Sequence, residues 1–198
     1  MNPIIAKIGV VAVLLFILCS SPSCVTRPNL VIHQSDALSV VLRDLPDGYP
    51  SLEPHNHPYT VQPKIAFDIL ESLDYGEDSL LPFSRKQPRR VFTRHQAELL
   101  APELSKALSQ ALPQEVASFN MADEDKPDRR TKGLCFVLGD ELHLIIEELR
   151  KPVYQGEQQP SQQQVSKWEL IPGNKQWYYA SRSGGKGVIT NWIITLLR

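Results

Sequence analysis

The chain has 198 residues, and its 21 basic and 22 acidic side chains leave a formal charge of −1. That balance supplies no field to draw nucleic acid or another polyanion. A hydrophobic content of 42% suits one domain with its own core, and three cysteines are too few for a disulfide scaffold.

The first residues, MNPIIAK, make a short start that carries Lys7. An apolar run, IGVVAVLLFILC, follows over residues 8–19, and the small-residue segment SSPSC ends at Cys24. A positive start, an apolar core of roughly 7–15 residues and a small-residue exit describe a secretory signal. The run is short for a membrane-spanning helix, which needs about 20 residues. The stretch resembles bacterial lipoprotein signals, in which a cysteine just past the apolar core is lipidated and becomes the mature N-terminus. The resemblance implies a signal peptide at 1–23, lipidation of Cys24, a tether at 24–29 and a domain at 30–198. It also implies a place in the bacterial cell envelope, on the periplasmic side. Val25 after the cysteine would permit sorting to the outer membrane. Plain cleavage after Ser23, cleavage at Cys19 and retention of the whole segment as an anchor are the alternatives. With Cys19 removed and Cys24 lipidated, Cys135 stands alone in the apolar run LCFVL, where it reads as a buried core thiol.

Residues 30–33 suit a strand. Ser35 or Asp36 is placed to cap a helix running to Leu45, with Leu38, Val41, Leu42 and Leu45 on one side. Residues 46–58, rich in proline, read as a surface loop. Within it, His55 and His57 stand two apart, a weak candidate half-site for a metal, whose further ligands would come from His33, His95, His143 or a carboxylate. Pro63 fits the first position of a helix over 63–73, where Ile65, Ile69 and Leu73 make an apolar stripe. Next comes the strongest positive cluster of the chain, Arg85, Lys86, Arg89, Arg90 and Arg94, a candidate contact for an anionic surface. Thr93 and Gln96 match a capping box. Leu100, Leu104 and Leu108 then repeat at helical spacing, and Pro102 is expected to kink that helix or start a second one.

From residue 115 the pattern changes. Residues 115–121 alternate weakly as a strand, and 122–132 form a charged turn. Residues 133–151 read as an antiparallel hairpin about Gly139-Asp140. The glutamine-rich 155–166 is expected to be a mobile loop. Residues 167–171 and 176–181 suggest two strands about a Pro172-Gly173-Asn174 turn, with Trp168, Trp177, Tyr178 and Tyr179 as an aromatic group. The SGGKG at 183–187 lacks the leading glycine and the following Ser or Thr of a phosphate loop. Residues 188–197 form a last strand or a short terminal helix.

Helices followed by strands, without alternation, point to an α+β fold: helices mainly in the first half, packed on an antiparallel sheet of about four to six strands from the second half. No spaced metal-ligand set or nucleophile–base–acid set stands out, so no cofactor is expected. The expected function is a non-enzymatic binding or assembly role for a lipid-anchored envelope protein. Its membrane contact is the N-terminal lipid, its partner an unidentified envelope protein, and nucleic acid is not expected. An envelope enzyme using Asp140, Glu141, Glu147 and Glu148 on cell-wall or lipid substrates is the alternative, and a periplasmic metal-binding protein using His55 and His57 the second.

Overall fold

The computed structural model describes residues 27–50, 52–77, 87–153, 168–180 and 188–197. Strand outweighs helix, 47% to 19%, which corrects the expected arrangement of first-half helices on a sheet of four to six strands. Strands begin at the start of the described chain: β1 Leu30–Gln34, β2 Leu38–Asp44, then α1 Pro63–Glu71, β3 Asp74–Glu77, β4 Arg89–Arg90 and α2 Arg94–Gln110. The second half adds β5 Glu115–Ala122, β6 Arg129–Leu138, β7 Glu141–Pro152, β8 Trp168–Ile171, β9 Gln176–Ala180 and β10 Val188–Leu196. Seven strands form one sheet in the order β1-β2-β5-β6-β7-β10-β9, and β4-β3-β8 form a second. Every pairing in both sheets is antiparallel.

The segment expected to be a helix over 38–45 is β2. Its apolar residues satisfy two periods at once, since Leu38, Val40 and Leu42 also alternate, and these three are the buried ones. Pairing with β1 on one side and β5 on the other decides between the two readings, and it suits the β-branched Val40-Val41 pair.

The sheet has two covered faces. On the first, Leu38, Val40, Leu42, Ala117, Phe119 and Met121 share one core with Ala97, Leu100, Leu104 and Leu108 of α2, and Ala66, Ile69 and Leu70 of α1, which packs on α2, join the same core. The small sheet adds Tyr75 and Leu170 to the same core. The turn at 172–175 therefore separates two sheets. The two strands it joins do not pair with each other: β8 joins β3, while β9 joins β10.

The capping box forms as expected. Thr93 Oγ1 accepts the Gln96 N–H at 3.1 Å, and Gln96 Oε1 accepts the Thr93 N–H at 2.9 Å. Gln96 is itself buried, and its Nε2 donates to Ala122 O at 2.7 Å, tying the start of α2 to the end of β5. Thr93→Ala is expected to lower stability by about 1 kcal/mol. Gln96→Ala, which loses a cap bond and the link to β5, is expected to cost about 2 kcal/mol. Urea midpoints of the two variants check the ranking.

Helix α2 runs unbroken through Pro102, so a second helix does not start there. The proline is exposed and frees only the carbonyl four residues back, that of Glu98, which also lies on the solvent side. Leu100, Ala101, Leu104 and Ser105 hold the opposite side in the core.

Candidate functional site

The second face of the sheet carries Val116, Leu134, Phe136, Ile145, Trp192 and Ile194. Its cover comes from the chain between β2 and α1, residues 45–50 and 52–58, whose Leu45, Tyr49 and Leu52 pack on that face. This strap lies past the start of β5, where the end of β6 pairs with β7 but has no strand on its β5 side. Backbone groups that β5 would take are taken by the strap instead. Asn56 N–H donates to Val137 O at 2.9 Å, and Asn56 Oδ1 accepts Gly139 N–H at 2.5 Å. His55 N–H donates to Pro113 O at 2.7 Å. Two cis peptide bonds, Glu53–Pro54 and His57–Pro58, lie in the strap.

His55 and His57, expected on a surface loop, are 3% and 6% exposed. They join His143, 2% exposed, in one aromatic cluster. The Phe136 ring lies between His55, at 4.6 Å, and His143, at 4.9 Å. Trp192 continues the row from His143 and stacks on Tyr179 at 4.0 Å. Tyr49 of the strap meets Trp192 edge-on at 6.0 Å.

Partners fix the tautomers of all three rings. His57 Nε2 accepts the Val137 N–H at 3.1 Å, so its proton is on Nδ1. His143 Nδ1 accepts the Trp192 Nε1–H at 3.1 Å, so its proton is on Nε2. His55 Nδ1 lies 3.2 Å from Glu115 O and must donate. The remaining nitrogens, His55 Nε2, His57 Nδ1 and His143 Nε2, are buried and make no hydrogen bond. Burial, reinforced by the neighbouring His55 ring, lowers both His57 and His143 to about 4. Burial also lowers His55. The folded state therefore binds fewer protons than the unfolded chain below the ordinary histidine value of about 6.5. The stability these neutral rings contribute is complete above that pH and declines as pH falls toward 4.

Beside the cluster, Glu115 is 97% hidden from solvent at its side chain, yet charged. Arg27 reaches it with Nε and Nη2, each at 2.5 Å, and Leu112 N–H adds a bond at 2.7 Å. Burial works to raise this carboxyl, but Arg27 and the Leu112 amide outweigh burial and hold it below the usual carboxylate range. Arg27 falls in the segment expected to be a tether, and nothing in its local sequence announces the pairing with a residue 88 positions away.

The other candidate residues are dispersed. Cys24, Arg85, Lys86, the glutamine-rich 155–166 and the SGGKG at 183–187 lie outside the described residues. Arg89, Arg90 and Arg94 each face a carboxylate: Glu77 at 3.5 Å, Asp74 at 3.5 Å, and both Glu71 and Glu98 at 3.2 and 3.1 Å. Arg90 and Arg94 line a shallow cleft of about 350 Å³ that Asp68 and Glu71 neutralise. The carboxylates considered for catalysis do not converge. Glu147 meets Arg43 and the Tyr49 hydroxyl, Glu148 meets Lys132 and Lys151, and Glu141 lies 3.7 Å from His143 Nε2. Among the described residues no group of three or more His, Cys, Asp or Glu side chains is placed to hold a metal ion. The aromatic group of β8 and β9 is also divided. Trp168 packs on the main core, Tyr178 donates its hydroxyl to Leu170 O, Tyr179 stacks on Trp192, and Trp177 is 39% exposed.

Cys135 is fully buried, and burial pushes its thiol up to about 12. A thiol reagent at neutral pH is expected to leave Cys135 unmodified in the folded protein and to modify it in urea, as intact mass would record.

No protein-family model, curated protein or solved structure matches the chain.

Proposed function

We propose that the protein is a lipid-anchored component of the bacterial cell envelope that works by binding or assembly. In this reading Cys24 carries the lipid, and the domain stands on the periplasmic side, on the outer membrane as Val25 allows. The observation that supports it best is the clamp between Arg27 and Glu115. It joins the chain to the folded domain three residues after Cys24, a reach of about 10 Å at most. A lipid at Cys24 would therefore hold the domain close against the bilayer surface, as suits a component that meets partners there. The dispersal of Glu141, Glu147 and Glu148 among separate partners favours this reading over an envelope enzyme. The three buried histidines, spent on Val137, Trp192 and Glu115, favour it over a metal carrier.

The test is the intact mass of the mature N-terminus from a membrane fraction, beside Cys24→Ser. A diacylglycerol-sized addition on Cys24, with release of the variant to the soluble fraction, is the expected result. Crosslinking in the intact envelope should then capture a specific protein. An unmodified N-terminus, or a full-length mass, would overturn the lipid anchor.

A further inference from the structure

We propose that the strap formed by residues 45–50 and 52–58 is an acid-released cover: protonation of His55, His57 and His143 lifts it from the Phe136–Trp192 face while the sheet and α2 stay folded. The inference concerns the folded domain alone and holds whether or not Cys24 carries a lipid.

Three features carry it. First, two of the rings are locked as acceptors by groups that can only donate. A proton added at His57 Nε2 sets N–H against the Val137 N–H, and one added at His143 Nδ1 sets N–H against the Trp192 indole. His55 has a free lone pair on Nε2, but that atom is buried without a partner. A proton on any ring therefore creates a buried donor or charge that only water can satisfy, and water reaches it when the strap lifts.

Second, nearby charges do not supply the missing compensation. Glu53 of the strap and the Glu115 carboxylate of β5 both favour protonation, yet burial outweighs them. Glu115 is already neutralised by Arg27. On β7, Glu147 is held by Arg43 of β2 and by Tyr49 of the strap. Glu141 is 3.7 Å from His143 Nε2, but its side chain is 40% exposed and burial lowers the ring despite it.

Third, the three buried histidines form this single cluster, and the strap's bonds lie outside the strand ladders. Asn56 and His57 bind Val137, Asn56 binds Gly139, and His55 binds Pro113. Releasing them breaks no pairing between β5, β6 and β7. The core between the sheet and α2 is apolar and carries no histidine.

Amide hydrogen exchange of the purified protein between pH 7 and 4.5, corrected for the intrinsic rate at each pH, tests the device. The amides of Asn56, Val137 and Gly139 are expected to lose protection by about tenfold or more below pH 6, reversibly, while amides of α2 and β2 keep theirs. Loss of both sets at one pH would mean global acid unfolding and would overturn the proposal. So would full protection of the strap down to pH 4.5. His57→Gln keeps an acceptor for Val137 without titrating, and it should move the opening to lower pH. An unchanged midpoint in that variant would sink the role given to His57. Should His57→Gln fail to fold, the wild-type exchange profile alone decides.

Discussion

Replacing Gly133 by alanine is expected to be the most damaging single-methyl change in the described chain. Gly133 lies in β6 between Phe119 of β5 and Ile146 of β7. A Cβ built there would stand 2.3 Å from the Ile145 carbonyl oxygen and 2.5 Å from Phe119 Cζ. The first contact is with backbone, so relief requires β6 and β7 to part. The second is with a ring 1% exposed and packed edge-on against Phe92 at 5.9 Å, so the ring has no space to turn. Overpacking a core costs typically about 1–3 kcal/mol. With a backbone clash added, the loss is expected to be about 3 kcal/mol or more, a large share of the roughly 5–15 kcal/mol of a whole domain. Gly139→Ala is the internal control. Gly139 has φ +63° with open space around it, so alanine there meets only the left-handed backbone penalty of about 1 kcal/mol. Urea denaturation of the two variants should separate them clearly. Adding Phe119→Leu to Gly133→Ala should recover part of the loss, because it removes one of the two clashes. Equal midpoints for Gly133→Ala and Gly139→Ala would show that β6 and β7 yield more easily than these distances allow.

Removing Arg27 is expected to have the second-largest effect. Arg27→Ala leaves the Glu115 carboxylate, 3% exposed, with the Leu112 amide as its remaining donor. Breaking a fully buried pair from one side costs about 3–5 kcal/mol. The guanidinium here is 29% exposed, so solvent screens part of the loss and about 2–3 kcal/mol is expected. Arg27→Lys should recover little, since an ammonium cannot reproduce the two-pronged contact. Glu115→Gln should cost less than Arg27→Ala, because no charge is left buried. The pH dependence separates this pair from the histidines. A carboxyl held below its ordinary range contributes stability that is present above its unfolded value and is lost as pH falls through its folded one. In the wild type the contribution of the Glu115 carboxylate is therefore intact at pH 6 and 5, where the neutral histidines already lose theirs. In Arg27→Ala burial is left to raise the Glu115 carboxyl, so the difference in urea midpoint between wild type and variant should be largest near pH 7 and narrow as pH falls and the variant's Glu115 takes up a proton. A difference that widens as pH falls would contradict a carboxylate held charged by Arg27.

Much of the local structure was legible in the residues. The Thr93–Gln96 box, the helix begun by Pro63, the 133–151 hairpin about Gly139 and the strand at 115–121 all depend on neighbours within a few positions. Each of those signals carries its own chemistry: a cap needs an acceptor three residues from a donor, and a turn needs a residue that tolerates positive φ. The misreadings share a different cause. Residues 38–45 fit both helical and strand spacing, and β1 and β5 resolved the choice from outside the segment. The histidine pair looked solvated because its own loop is polar and proline-rich, whereas what buries it is the end of β6, unpaired on its β5 side and some 80 residues onward.

By itself the sequence determined near-neutral charge, a core position for Cys135 and the positions of several turns and caps. The tertiary structure alone decided the seven-stranded order, the split of β8 and β9 between two sheets, the burial of His55, His57 and His143, and the pairing of Arg27 with Glu115. The physical reason is separation along the chain. Capping and turn preferences act over three or four residues, while strand pairing and buried ion pairs depend on which distant segment supplies the missing partner, and only the assembled chain settles that.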